Sequence, residues 1–482
     1  MASCSVTSKY EVTAGARDVQ TLNIEGCEVW LSKLDLSVKR NRAGDSRYRQ
    51  VDDYPSLRVN RFLASFELGE LETHNRTRDW IESMALLNEK GRDIEISNLA
   101  SNEIAKLGGD RYWVKERANT CSRLLTNSLL EGPMLDIQHL KKRTRVDAEY
   151  SVAKRFFGLY SILKFPFMRG VERWQKSVKQ LFDNDLEEVN PDVKIIKYQP
   201  AVRDEAAEFA INNVMSKRDA LGQLALSSDQ ELEMFEKYAP VFRAKQTGPF
   251  DRIGEIVWSE SGEVMVDTTA PTVYIDLTYT RFHGQILPQL IYVAWVSERP
   301  KERIFDLLEG RLDGIIWRVT LDIDGLPLIY DTIHPCGCYH MFFPTSRLQA
   351  IPSTRKDVEW AFSPKGVLPS QESKRIEVTL ESKTHYFSRL KVESQDNFDL
   401  VENYNLKPYK DLSILAGVDG IRSIFRPDGL IEGTERLERI FFWPMGIRSA
   451  GAMRKLGSHA TAFVGRRHFD DPDLLERRFR RR

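Results

Sequence analysis

Two apolar runs, Ile315 to Asp322 and Leu326 to Ile333, stand on either side of Asp324-Gly325, and no other feature narrows the fold of this chain as far. Both are rich in β-branched and aromatic residues, and an Asp-Gly pair between such runs specifies a tight antiparallel hairpin. Period-two alternation puts Trp317, Val319 and Leu321 on one face of the first strand and Leu326, Leu328 and Tyr330 on one face of the second. Directly after the hairpin comes His334-Pro335-Cys336-Gly337-Cys338-Tyr339-His340, which gathers two of the eight histidines and two of the five cysteines.

In a straight strand these four ligand-type side chains would share a face but spread over about 20 Å. Zn–S and Zn–N bonds of roughly 2.0–2.3 Å cannot span that. Gly337 lets the chain bend, so Cys336, Cys338 and at least one of His334 and His340 are expected to converge. Three readings stay open. One is a metal site, zinc first and copper second, built from His334, Cys336, Cys338 and His340, with His283 or His385 as a distant ligand. The spacing is not the C-x-x-C of strong zinc motifs. The second is a Cys–His pair that generates a thiolate nucleophile. The third is structural: buried or disulfide-bonded cysteines, with histidines satisfying local backbone groups.

A second hairpin is expected where Val273, Ile275, Leu277 and Tyr279 alternate with polar residues and the chain turns at His283-Gly284 into Ile286–Val296. His283 falls on the apolar face of Tyr279 and reads as a core residue; Pro288 hints at an edge or a bulge. Further strands are suggested at Val358–Phe362, Arg375–Leu380 and Thr384–Val392. Upstream the period is helical. Trp80, Met84 and Leu87 share a face, and Val114, Ala118, Cys121, Leu125 and Leu129 make a stripe over Tyr112–Leu130. Cys121 on that stripe reads as a buried thiol, with a bridge to Cys27 as the alternative. More helices are expected at Asp147–Leu163, Val171–Phe182, Asp204–Met215 and Asp229–Tyr238, the last opened by Ser228 and Glu231.

The fold class is therefore α+β: an irregular segment over 1–50, a mainly helical region over 51–245, and an antiparallel β-rich region over 246–482 ending in short helices. Of those, one is capped by Thr434 and the last starts at Asp471-Pro472 and ends in Arg477, Arg478 and Arg480 to Arg482.

Lys plus Arg and Asp plus Glu are 70 each, so charge gives no global signal for nucleic acid. The most hydrophobic stretch, Phe156 to Val171, is interrupted by Lys164, Pro166 and Arg169, and no membrane span is expected. P-loop, G-x-S-x-G and H-E-x-x-H motifs are absent from the sequence. Asp313, Asp322, Asp324 and Asp331 read as turn and edge residues.

Four stretches, Pro55 to Phe66, Leu312 to Leu321, His334 to His340 and Ala460 to Pro472, together resemble a family of uncharacterised bacterial envelope proteins. The resemblance runs from about residue 40 to the end and brings no catalytic residues with it. It implies an envelope or periplasmic location. Met1-Ala2-Ser3-Cys4 is similar to the end of a lipoprotein signal, so an apolar segment upstream of Met1 and a lipid on Cys4 are expected. A start at Met1 as given would instead mean the cytoplasm. That lipid, or the Arg-rich C-terminus, would bring the protein to a membrane surface. The function expected is an envelope-associated binding or structural protein with a metal or thiol site, the alternative being a metal-dependent or thiol-dependent hydrolase.

Overall fold

Gln285–Arg299 and Gly310–Leu321 are buried along most of their length, which a strand achieves only with packed layers on both faces. In the computed structural model, which describes residues 23–132, 134–183, 193–201, 211–355, 357–366, 368, 375–392, 398–418 and 420–482, these two lie within one curled ten-stranded sheet. Its strands in chain order are β1 (Lys194–Pro200), β2 (Val241–Gln246), β3 (Thr272–Phe282), β4 (Gln285–Arg299), β5 (Gly310–Leu321), β6 (Pro327–Ile333), β7 (Met341–Pro344), β8 (Ile376–Leu380), β9 (Phe387–Val392) and β10 (Leu400–Pro408). Across the sheet the order is β7-β6-β5-β4-β3-β10-β1-β2-β8-β9.

Both expected hairpins form. At the β5–β6 turn Gly325 takes φ 80° and donates to the Asp322 carbonyl at 2.9 Å, and at the β3–β4 turn His283 and Gly284 both take positive φ, the conformation of a two-residue primed turn. His283 is therefore exposed at a turn rather than in the core. Pro288 sits one residue before the pairing of β4 with β5 begins at Gln289, so its missing N–H removes no bond on that side.

The sheet is mixed, not antiparallel. β10 runs parallel to β3 through Asn405–Pro408 and parallel to β1 through Leu400–Tyr404, and β2 runs parallel to β8. Strands from both sides of residue 245 thus share one sheet.

The principal helices are α1 (Ile24–Arg40), α2 (His74–Asn98), α3 (Arg111–Leu130), α4 (Val152–Phe157), α5 (Tyr160–Asp183), α6 (Ser228–Tyr238) and α7 (Glu438–Phe442). One core packs Val178 and Phe182 of α5 and Met234 and Phe235 of α6 with Tyr292, Trp317 and Phe343 of the sheet. Another gathers Ile291, Val293 and Trp295 with Tyr409, Phe425 and Met453 of the C-terminal segment.

Several expectations change. Part of the irregular segment is α1, opened by Asn23, whose side chain accepts from the Gly26 amide. Cys27 of α1 and Cys121 of α3 are joined by a disulfide. The helix expected over 147–163 is broken at Gly158-Leu159, where Leu159 takes φ 51°. Ser227 with Gln230, not Ser228 with Glu231, forms the capping box of α6. Val358–Phe362 forms no strand. Residues 472–478 make turns rather than a helix, and Phe479–Arg481 pairs as a strand with Leu348–Ala350. Cys4 and residues 204–210 of the helix expected over 204–215 lie outside the described residues.

Candidate functional site

The His334–His340 stretch joins β6 to β7 as a tight loop. The Gly337 amide donates to the His334 carbonyl at 2.8 Å and the His334 amide to the Cys338 carbonyl at 3.0 Å. Gly337 takes φ 94°, and a Cβ there would lie 2.8 Å from the Ala460 carbonyl oxygen, so only glycine fits. The Arg454 amide and the His459 Nε2 both donate to the Pro335 carbonyl, at 3.1 and 3.0 Å, strapping the loop to the C-terminal segment. Burial and the neighbouring Arg454 push His459 down to about 3, so it donates as the neutral Nε2–H tautomer.

The two histidines of the loop go to different carboxylates. His334 Nδ1 lies 3.3 Å from Asp313, whose other oxygen lies 3.1 Å from His385 Nδ1. His385 Nε2 in turn approaches Asp251 at 3.3 Å. Burial alone would lower His385, but carboxylates near both ring nitrogens outweigh it and raise it above the ordinary imidazole value. Burial also acts to raise Asp313, yet Arg436 and the two imidazoles hold it well below the usual carboxylate range. His340 Nε2 meets Asp331 at 2.8 Å, and Asp331 is gripped by Arg318 through two bonds of 2.8 and 2.6 Å. Burial pushes His340 down to about 3 despite that carboxylate.

Cys336 and Cys338 do meet, as free thiols. The mutual interaction of the two thiols lowers Cys336 and drives Cys338 well above the usual thiol range, with burial adding to the latter. Among the described residues, no group of three or more His, Cys, Asp and Glu side chains is arranged to hold a metal ion. The loop thus pairs its two sulfurs but turns both its histidines to carboxylates. His385 belongs with His334 around Asp313, and His283 is on the far hairpin turn.

Beside the loop opens a cavity of about 440 Å³. Phe167 and Trp174 of α5 with Trp360, Phe362, Phe442 and Phe463 give it an aromatic lining. Most of its polar groups are already engaged. The Tyr339 hydroxyl bonds that of Tyr386 at 2.7 Å, Glu359 accepts from the Phe463 and Val464 amides, and Arg467 donates to Thr461 and to the Trp360 carbonyl. Glu438, at the start of α7, differs. It is 4% exposed, and its carboxyl has no hydrogen-bond or ion-pair partner among the described residues. Burial pushes it up to about 7 even though Arg436 and Arg299 favour the charged form. Among the described residues, the groups at the cavity left to engage a ligand include the Glu438 carboxyl, and His340 through an Nδ1 that has no protein partner. As a proton acceptor near neutrality an imidazole held near 3 is poorly matched, whereas a carboxyl near 7 is well matched.

Asp313 and Asp331 are buried strand residues that hold the histidines, not turn residues. Their signal was in the sequence: a carboxylate inside an apolar run must find a partner. Nothing local marks Glu438, which reads as a polar position of a short helix. Comparison of the chain with protein-family models, with curated proteins and with solved structures finds no match to any of them.

Proposed function

We propose that this is a ligand-binding protein of the bacterial envelope, and that its site is the aromatic cavity beside the His334–His340 loop. The observation that carries the reading is Glu438: a buried carboxyl with no partner among the described residues, on a residue that lines a cavity of the size that small-molecule sites occupy. Below pH 7 it is mostly protonated and can donate a hydrogen bond, and the aromatic walls accept an apolar body. The ligand class is a neutral, mainly apolar molecule with an oxygen acceptor in its head group, for which a medium-chain monoacylglycerol is the probe. The envelope location rests on the family resemblance, and a structural disulfide fits an oxidising compartment.

Titration by tryptophan fluorescence across pH tests the role of Glu438. Affinity is expected to hold below pH 7 and to weaken about tenfold per unit above it as the donor ionises. Glu438→Gln, which keeps a donor without a titration, is expected to bind with no such inflection. An inflection that survives in Glu438→Gln rejects the assignment.

The hydrolase reading is favoured by one observation, that Cys338 lines the same cavity as Glu438. A thiol held well above its usual range needs a base, and Glu438 is the group suited to the task. Ester turnover that disappears in both Cys338→Ser and Glu438→Gln would establish it over simple binding.

A further inference from the structure

The helices α4 and α5 present apolar side chains outward on a scale that folding does not explain. Phe156 and Phe157 are each 75% exposed, Ile162 65% and Phe165 56%. Isolated exposed apolar residues are ordinary, but a contiguous run of aromatic ones marks an interaction surface. The segment Trp443–Met445, which packs against both helices, adds exposed Trp443 beside Phe441 of α7.

Charge on the same segment says what the partner is. Between residues 152 and 182 the chain has seven Lys or Arg and a single acid, Glu172, although the whole protein is neutral. Lys164 is paired with Asp357 and Arg155 is bound to carbonyls, while Arg169, Arg173 and Lys176 project from the exposed part of α5. At 100° per residue Ile162, Phe165, Arg169, Arg173 and Lys176 fall on one face, opposite Val178 and Phe182, which pack against the sheet. That face is apolar at its N-terminal end and basic along its C-terminal half. No described helix is long and apolar enough to cross a membrane. An apolar wedge next to a basic strip is the pattern of a helix that lies in a bilayer surface, with aromatic rings among the acyl chains and cations at the headgroups.

We propose that the outer face of α4 and α5 docks the protein onto an anionic phospholipid bilayer, with Phe156, Phe157, Ile162 and Phe165 inserted and Arg169, Arg173 and Lys176 against the headgroups. The proposal goes beyond the cavity reading and stands without it. A second copy of the chain is the competing occupant, and it would not need the basic strip.

Co-sedimentation of the full chain with vesicles of phosphatidylcholine alone or with added phosphatidylglycerol is the test. The wild type is expected to bind the anionic vesicles, more weakly at high salt. Phe156→Ser with Phe157→Ser, and separately Arg169→Glu with Arg173→Glu, should each bind about tenfold more weakly or worse, with melting temperatures unchanged because all four side chains are exposed. Absence of wild-type binding overturns the proposal, as does equal binding by both variants. So does a dimer in vesicle-free solution that the Phe pair dissociates, or a fall in melting temperature showing that the face packs on the chain itself.

Discussion

Glu438 and the buried imidazoles pull the acid stability of this protein in opposite directions. The carboxyl has an ordinary value of 4.5 and is raised to about 7 in the fold. The unfolded chain therefore releases its proton first, and the contribution of Glu438 to stability is full below pH 4.5, falls as pH rises towards 7 and is level beyond. The fall amounts to roughly 3 kcal/mol. His340 and His459 are depressed from 6.5 to about 3, so their contribution is full above 6.5 and is lost as pH falls through that interval. Melting curves of the wild type and Glu438→Gln from pH 4 to 8 should show the stability difference changing between about 4.5 and 7; a constant difference would refute the raised carboxyl. The Arg318–Asp331–His340 cluster offers a second test. Asp331→Asn leaves a guanidinium, 1% exposed, without its counter-ion, and is expected to lose about 3–5 kcal/mol in urea unfolding. A loss under about 1 kcal/mol would mean that the cluster is not tightly paired.

Among the elements, α1 is held on the body by its own small core and by the Cys27–Cys121 bridge, which spans 94 residues of sequence. A loop of that length gives a large entropic contribution, and Cys27→Ser with Cys121→Ser should cost about 2–5 kcal/mol. Amide exchange should rise first in α1, and unchanged protection there would contradict the role given to the bridge. The elements readable from sequence are those fixed by neighbours. Asp324-Gly325 and His283-Gly284 carry their turns in two residues each, and the Val114–Leu129 stripe carries a helix. β10 was hidden because Leu400–Pro408 does not alternate, and its place comes from pairing with two strands distant in sequence. Pro472 misdirected the last helix for a similar reason. Arg481 is captured by buried Asp322 at 2.6 and 2.7 Å, and the pairing of Phe479–Arg481 with Leu348–Ala350 holds that end extended. The loop at His334–His340 was legible as a bend with two meeting sulfurs. The destination of its histidines was not, since Asp313 lies before them in one strand and His385 after them beyond another.

At the scale of the whole molecule, the candidate site belongs to no single region. α5 supplies one wall of the cavity, the β6–β7 loop another, and residues of 359–362 and 438–467 the rest, Glu438 among them. Only the folded chain brings these together, which is why length, charge and motif could not reveal the site. Gly170 on α5 allows the claim to be tested with little other disturbance. It lines the cavity, and a Cβ built there meets nothing within 4 Å. Replacing a glycine inside a helix also removes a penalty of about 0.5–1 kcal/mol. Calorimetric titration of the monoacylglycerol probe into the wild type and Gly170→Trp is the direct measurement. The account predicts saturable binding to the wild type, and no detectable binding to a variant that melts at the same temperature or slightly higher. Equal binding by the two proteins, or none by the wild type, would contradict it.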